Sequence, residues 1–93
     1  MNYYTLFYNV TEDYITRRSQ FREEHLKLAK ELNQRGELIL AGAFSDPYDK
    51  TLLVFKVADK NVIEDFVKND PYYKNGLVKS YEIRQWTVVI GNE

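Results

Sequence analysis

The chain has 93 residues, 44% of them hydrophobic and 15% aromatic, which suits one domain (residues 1–93) with its own core. It contains no cysteine, so disulfides, thiolate metal sites and cysteine nucleophiles are excluded. The formal net charge is −1, which argues against a nucleic-acid partner. The first residues do not resemble a signal peptide and no apolar run could cross a bilayer, so we expect a cytoplasmic protein without a membrane partner.

The first half of the chain predicts a strand, a long helix and a second strand. Residues Tyr3–Val10 are mostly aromatic, apolar or β-branched, as is typical of strands. A helix is predicted over Thr11–Arg35, with Thr11 as its N-cap and Gly36 as the glycine that follows its end. Glu37–Phe44 predicts the second strand.

The second half predicts two further strands around a short helix. Thr51–Val57 is the third strand, Asp59–Lys68 the second helix and Leu77–Ile90 the last strand. The helix is expected to end before Pro71, because the residue preceding a proline avoids helical backbone angles. The order βαββαβ is that of a ferredoxin-like α+β fold, in which a four-stranded antiparallel sheet carries two helices on one face.

The second face of this sheet is also expected to be apolar. In the last predicted strand, Tyr81 and Ile83 point to one side, while Trp86, Val88 and Ile90 point to the other. A sheet that is apolar on both faces usually buries its second face against a partner. We therefore expect a homodimer in which two sheets pack face to face.

Three basic residues lie on the face of the first helix that should be buried. At 100° per residue, Arg18, Arg22 and His25 fall on the same arc as its apolar side chains. In a structural interpretation the arginines pair with acids such as Glu82 or Asp70, and His25 is a core residue. In a functional interpretation the arginines bind an anionic ligand and His25 acts as a general acid or base.

Two further segments and a group of tyrosines each admit a structural and a functional interpretation. Asp70 either only terminates a helix before Pro71, or is a carboxylate that meets His25 and stabilises its protonated form. Gly42, in the segment Ala41–Phe44, permits close approach to the backbone by a ligand or by a packed helix. Tyr72 belongs to a group of tyrosines that either line a pocket or simply pack.

Taken together, several short motifs resemble the YciI-like family over nearly the whole chain. They are Arg18, Arg22-x-x-His25-Leu26, Gly36-Glu37-Leu38, Ala41-Gly42-Ala43-Phe44, Asp70-Pro71-Tyr72, Gly76-Leu77-Val78 and Ile83-Arg84-x-Trp86. This family is similar to the dimeric α/β barrel group, which includes muconolactone isomerase-like proteins. The resemblance implies a ferredoxin-like subunit and a dimer formed through the sheets.

The resemblance also implies a pocket that contains a His–Asp pair. In this sequence the pair corresponds to His25 and Asp70, and Arg22 would flank the pocket. A few members of the family act in the degradation of aromatic compounds, including the removal of chloride from a chlorinated hydroxyhydroquinone.

The leading hypothesis is a small acid–base enzyme of the lyase or isomerase type that acts on an anionic or phenolic metabolite. His25 and Asp70 are the predicted catalytic residues, and the predicted substrate-binding residues are Arg18, Arg22, Gly42 and Tyr72. No cofactor is expected for such chemistry, and one histidine without cysteine makes no metal site. The alternative is a non-catalytic protein that binds a small acid in the same pocket.

Overall fold

A four-stranded antiparallel sheet forms the centre of the structure, a computed structural model that describes residues 1–91. The strands lie in the order β2-β3-β1-β4, and the helices pack on one face. This is the ferredoxin-like α+β fold that the sequence predicts. The strands are β1 (Asn2–Val10), β2 (Leu38–Ala43), β3 (Lys50–Val57) and β4 (Val78–Trp86), and the helices are α1 (Tyr14–Arg17), α2 (Arg22–Gln34), α3 (Asn61–Asn69) and α4 (Pro71–Lys74).

The core lies between the sheet and the helices. On β1 every second residue points towards the helices, and Leu6, Tyr8 and Val10 are all buried. Phe55 on β3 meets Phe66 on α3 edge-on, with 5.6 Å between the ring centres. Within residues 1–91, no helix combines the length and the apolar character that crossing a membrane requires.

The predicted continuous helix over Thr11–Arg35 is wrong. The chain forms α1, then a 3-10 turn over Arg18–Gln20, and α2 begins only after Phe21, whose backbone is not helical. Thr11 is not the N-cap, since Asp13 occupies that position. Apolar residues seven positions apart, such as Tyr14 and Phe21, reach the same core from one helix or from two, so periodicity alone does not reveal the break.

The last strand is also shorter than predicted, and one helix was not predicted. Strand β4 ends at Trp86, because its final partner on β1 is Tyr3 and β1 itself begins at Asn2. Val88 and Ile90 therefore lie beyond the sheet, so assigning them to its second face was wrong. The short helix α4 follows Asp70, where the sequence predicted only the end of the preceding helix. The other elements begin and end within two residues of their predicted bounds.

We expect Ile63→Ala to lower the free energy of unfolding by about 2–5 kcal/mol, because this fully buried side chain on α3 would leave a cavity. Urea denaturation followed by circular dichroism measures the loss. Ile90→Ala removes the same atoms from a side chain that is 88% exposed, and it should cost less than about 0.5 kcal/mol. Equal losses in the two variants would contradict this packing.

Candidate active site

The carboxylate of Asp70 occupies the junction between α3 and α4. Its backbone is extended (φ −73°, ψ 120°), which ends α3, and Pro71 then starts α4 with a preset helical φ. Oδ1 of Asp70 accepts a hydrogen bond from the backbone N–H of Tyr72 at 3.0 Å, so Asp70 is the N-cap of α4. The Asp-Pro sequence thereby fixes both the backbone and the side chain of a carboxylate that is 0% exposed.

His25 meets this carboxylate from the first turn of α2. Its Nδ1 lies 2.8 Å from Oδ1 of Asp70, and its side chain is 13% exposed. The imidazole ring stacks on the ring of Tyr72, with centroids 3.9 Å apart and planes 12° apart, and Phe66 contacts it edge-on. The structure therefore brings together His25, Asp70 and Tyr72, three of the residues singled out from the sequence.

Tyr8 completes the contacts of Asp70, and sequence reasoning missed it. Its hydroxyl donates to Oδ2 of Asp70 at 2.7 Å, within the core. Burial, reinforced by the charge of Asp70 and this hydrogen bond, raises the pKa of Tyr8 far above its ordinary value, so the phenol keeps its proton. The available signal was its position on β1, because a buried tyrosine hydroxyl at a core-facing position needs a partner.

These donors determine which nitrogen of His25 carries the proton. A carboxylate only accepts hydrogen bonds, and both oxygens of Asp70 already face an N–H or O–H donor. The hydrogen-bond network therefore assigns the proton of the neutral imidazole to Nδ1, which donates to Asp70. The lone pair is left on Nε2, the nitrogen that a general base would use.

A cavity of about 170 Å³ lies beside His25, between α1, α2, α4 and the end of the sheet formed by β2 and β3. An apolar cavity of roughly 150 Å³ can hold one benzene ring, so this volume fits a single-ring molecule. Among the predicted site residues, only Asp70 does not line it, because Asp70 lies behind His25. The lining residues are Tyr14, Arg18, Arg22, His25, Leu26, Ala29, Ala41, Gly42, Ala43, Thr51, Leu53 and Tyr72.

The two arginines lie at the cavity without a carboxylate partner. Within residues 1–91, neither Arg18 nor Arg22 forms an ion pair, so the pairing with Glu82 or Asp70 that the structural interpretation requires is not formed. The guanidinium of Arg18 instead lies 5.5 Å from the ring centre of Tyr14. Arg22 is exposed to solvent rather than on a buried face.

The positive charges of the two arginines act on Tyr72 across the cavity. Burial raises the pKa of the Tyr72 phenol, while the positive charges of Arg22 and Arg18 oppose that rise. At neutral pH the Tyr72 hydroxyl therefore stays protonated in a positive field. A field of this sign favours an anion in the cavity.

Gly42 and Thr51 form part of the sheet wall. Gly42 lines the cavity through its backbone, and a Cβ at this position would meet no atom within 4 Å. Its lack of a side chain is therefore not required by packing within this chain. Thr51, which sequence reasoning missed, has a buried hydroxyl oxygen without a hydrogen-bond partner among the described residues. Across residues 1–91, no group of three His, Asp or Glu side chains is placed to bind a metal.

The family model of the YCII-related domain matches residues 1–87 of the chain. The chain belongs to this family. No curated protein sequence matches the chain.

Solved structures share the fold at low sequence identity. The chain is similar to 5-chloro-2-hydroxyhydroquinone dehydrochlorinase from Burkholderia phenoliruptrix, in complex with 2,5-dihydroxybenzoquinone, with a TM-score of 0.80 and 16% identity over 98% of this chain and 99% of that one. It also resembles protein Atu4242 from Agrobacterium tumefaciens (TM-score 0.63, 13% identity, 98% and 96% coverage). Acylphosphatase from Bacillus subtilis gives a TM-score of 0.57 at 16% identity, with 98% and 91% coverage.

We expect the stability of the protein to fall in alkali, partly through Tyr8. Because folding raises the pKa of Tyr8 above its ordinary value of 10.0, its contribution is complete below about pH 10 and decreases as the pH rises further. In Tyr8→Phe the free energy of unfolding should be lower by about 1–3 kcal/mol at neutral pH, since Oδ2 of Asp70 loses its donor. It should then fall less steeply between pH 9 and 11.

Urea denaturation across this pH range measures both effects. Tyr48→Phe is the matched control, because Tyr48 is 47% exposed. This variant should keep the neutral-pH stability and the alkaline slope of the unaltered chain. An unchanged alkaline slope in Tyr8→Phe would count against a buried, proton-bearing Tyr8.

Proposed function

We propose that this protein is a small enzyme, needing no cofactor, that uses His25 and Asp70 for general acid–base chemistry on a single-ring anionic or phenolic metabolite. The observation that carries the proposal is the 2.8 Å contact between Nδ1 of His25 and Oδ1 of Asp70 beside a cavity. A buried carboxylate that accepts a hydrogen bond from Nδ1–H orients the imidazole and stabilises its protonated form. His25 can then take a proton at Nε2 and return it.

The arginines and Tyr72 supply the binding half of the proposal. Arg18 and Arg22 lie at the cavity without a carboxylate among residues 1–91, so their positive charge is available to a deprotonated hydroxyl or a carboxylate of the substrate. Gly42 lets such a ring approach the backbone of β2. In a lyase the proton transfer accompanies departure of a leaving group, and in an isomerase the proton returns to another atom.

The similar dehydrochlorinase suggests which molecules to try first. Its name states that it acts on 5-chloro-2-hydroxyhydroquinone, and its structure contains 2,5-dihydroxybenzoquinone. Each is a single ring with acidic hydroxyl groups, which agrees with the volume and the positive field of this cavity. Chlorinated and unchlorinated hydroxyhydroquinones are therefore the first substrates that we propose for this chain.

The alternative is a protein that binds a small acid without converting it. It is favoured by the lining of the cavity, in which His25 is the one side chain of a type that titrates near neutrality and no Asp or Glu is present. A second acid or base would have to come from the substrate or from water. Binding of the hydroxyquinones without turnover by the unaltered chain would establish this alternative.

The homodimer is also part of the proposal. Strand alternation and register place Phe7, Leu40, Leu52 and Trp86 on the sheet face opposite the helices, and Leu40 is 68% exposed. Exposed apolar surface of this kind favours a second copy of the same sheet.

We expect His25→Gln and Asp70→Asn to lower turnover of a substrate found among the hydroxyhydroquinones by about 10²–10⁴-fold, the usual contribution of a general acid or base. Both changes preserve side-chain size, and the Asn carbonyl can still cap α4. Product formation and chloride release measure the rates, and circular dichroism verifies the fold. Undiminished turnover in either variant would refute the proposed chemistry.

Arg22→Gln should weaken the binding of 2,5-dihydroxybenzoquinone by about tenfold or more, because a hydrogen bond to a charged group contributes roughly 1.5–3 kcal/mol. Isothermal titration calorimetry gives the dissociation constants. Arg35→Gln is the matched control, since Arg35 pairs with Glu37 on the surface away from the cavity. The proposal of an anion site would be wrong if both variants bound the quinone as well as the unaltered chain.

Sedimentation velocity should give twice the mass of one chain, and Leu40→Asp should shift the protein to the monomer by placing a charge on the apolar sheet face. Ile15→Asp introduces the same charge at a 39% exposed position on α1, so it should remain dimeric. A monomeric unaltered chain would contradict the dimer.

A further inference from the structure

The hydrogen bonds of Asp70 extend one residue beyond the His–Asp pair. Among residues 1–91, Oδ1 accepts from His25 and from the N–H of Tyr72, whereas Oδ2 accepts only from the Tyr8 hydroxyl, at 2.7 Å. No water can replace this donor readily, because Tyr8 and Asp70 are each 0% exposed. The contact therefore links β1 to the acid–base pair through a single hydrogen bond.

We infer that Tyr8 is a positioning residue for His25, acting through Asp70 to hold the imidazole in its Nδ1–H form and to limit its basicity. This inference rests on the proposed function of the His25–Asp70 pair. The Tyr8 hydroxyl holds Oδ2 and the Tyr72 N–H holds Oδ1, which together fix the orientation of the carboxylate that presents Oδ1 to His25. The Nε2 lone pair then has one fixed direction.

The effect on basicity follows from how the carboxylate charge is shared. A phenol that donates to Oδ2 draws negative charge towards itself and stabilises the carboxylate. Less of that charge is then available to stabilise the protonated imidazole on Oδ1. Tyr8 thus opposes the effect of Asp70 on the imidazole.

Other groups around the pair do not replace this function. The positive charges of Arg18 and Arg22 act on the neighbouring Tyr72 through space, and their side chains are at least partly exposed. Tyr72 offers its ring face and its backbone N–H rather than its hydroxyl. Besides Asp70, the charged and titratable groups that act on Tyr8 are Tyr81 from β4 and Tyr73 from α4, and those that act on Tyr72 are Tyr14 from α1 and the two arginines.

The test uses the fact that the chain has one histidine, so the imidazole signals in an NMR titration need no assignment. In Tyr8→Phe the titration midpoint of His25 should rise by about half a pH unit or more. Tyr81→Phe is the matched control, because it removes a hydroxyl that donates to a different carboxylate, Glu64, at 3.1 Å. Its midpoint should equal that of the unaltered chain.

An unchanged or lowered midpoint in Tyr8→Phe, or an equal rise in Tyr81→Phe, overturns the inference. If Tyr8→Phe does not fold, a second measurement uses the unaltered chain. The NMR signals of the Tyr8 ring should shift with pH at the same midpoint as those of His25. Tyr8 signals that do not shift at this midpoint overturn the inference equally. Neither measurement requires turnover. Absence of activity in the unaltered chain would therefore refute the proposed enzyme, whereas the two titrations alone decide whether Tyr8 acts on His25.

Discussion

A carboxylate with no solvent exposure at Asp70 is the constraint around which the site is organised. Removing a charge from water costs several kcal/mol unless hydrogen bonds and opposite charge compensate for it. Here the compensation comes from the Tyr8 hydroxyl on β1, His25 on α2 and the backbone N–H of Tyr72 on α4. Because each donor belongs to a different element, the packing of the helices on the sheet also determines the geometry of the site.

This arrangement connects stability to function. A histidine that is stacked on Tyr72 and hydrogen-bonded to Asp70 cannot rotate freely, so its second nitrogen keeps one direction without further ordering when a ligand binds. The arginines are placed differently, at the mouth of the cavity, where they can hold an anion while remaining in contact with water. In the proposed function, orientation of the base and attraction of the ligand therefore fall to separate residues.

The sequence was sufficient for the order of the elements, because strand alternation, Gly36 and the Asp-Pro pair are local signals. It was not sufficient for the break after α1, since two helices can bury the same apolar residues as one. The length of β4 depends on where β1 begins, which is a property of pairing. His25 and Asp70 were singled out from the residues and their pairing was supported by a family resemblance, whereas Tyr8 lies 62 positions from Asp70 and only the fold brings them together.

We infer from the hydrogen bonds that Asp70 holds the proton of neutral His25 on Nδ1 and leaves the lone pair on Nε2 to accept a proton. Nitrogen chemical shifts of the single imidazole in ¹⁵N-labelled protein test this most directly, at a pH above its titration midpoint. We expect a protonated, pyrrole-type Nδ1 and an unprotonated, pyridine-type Nε2. A neutral imidazole protonated on Nε2 would contradict it.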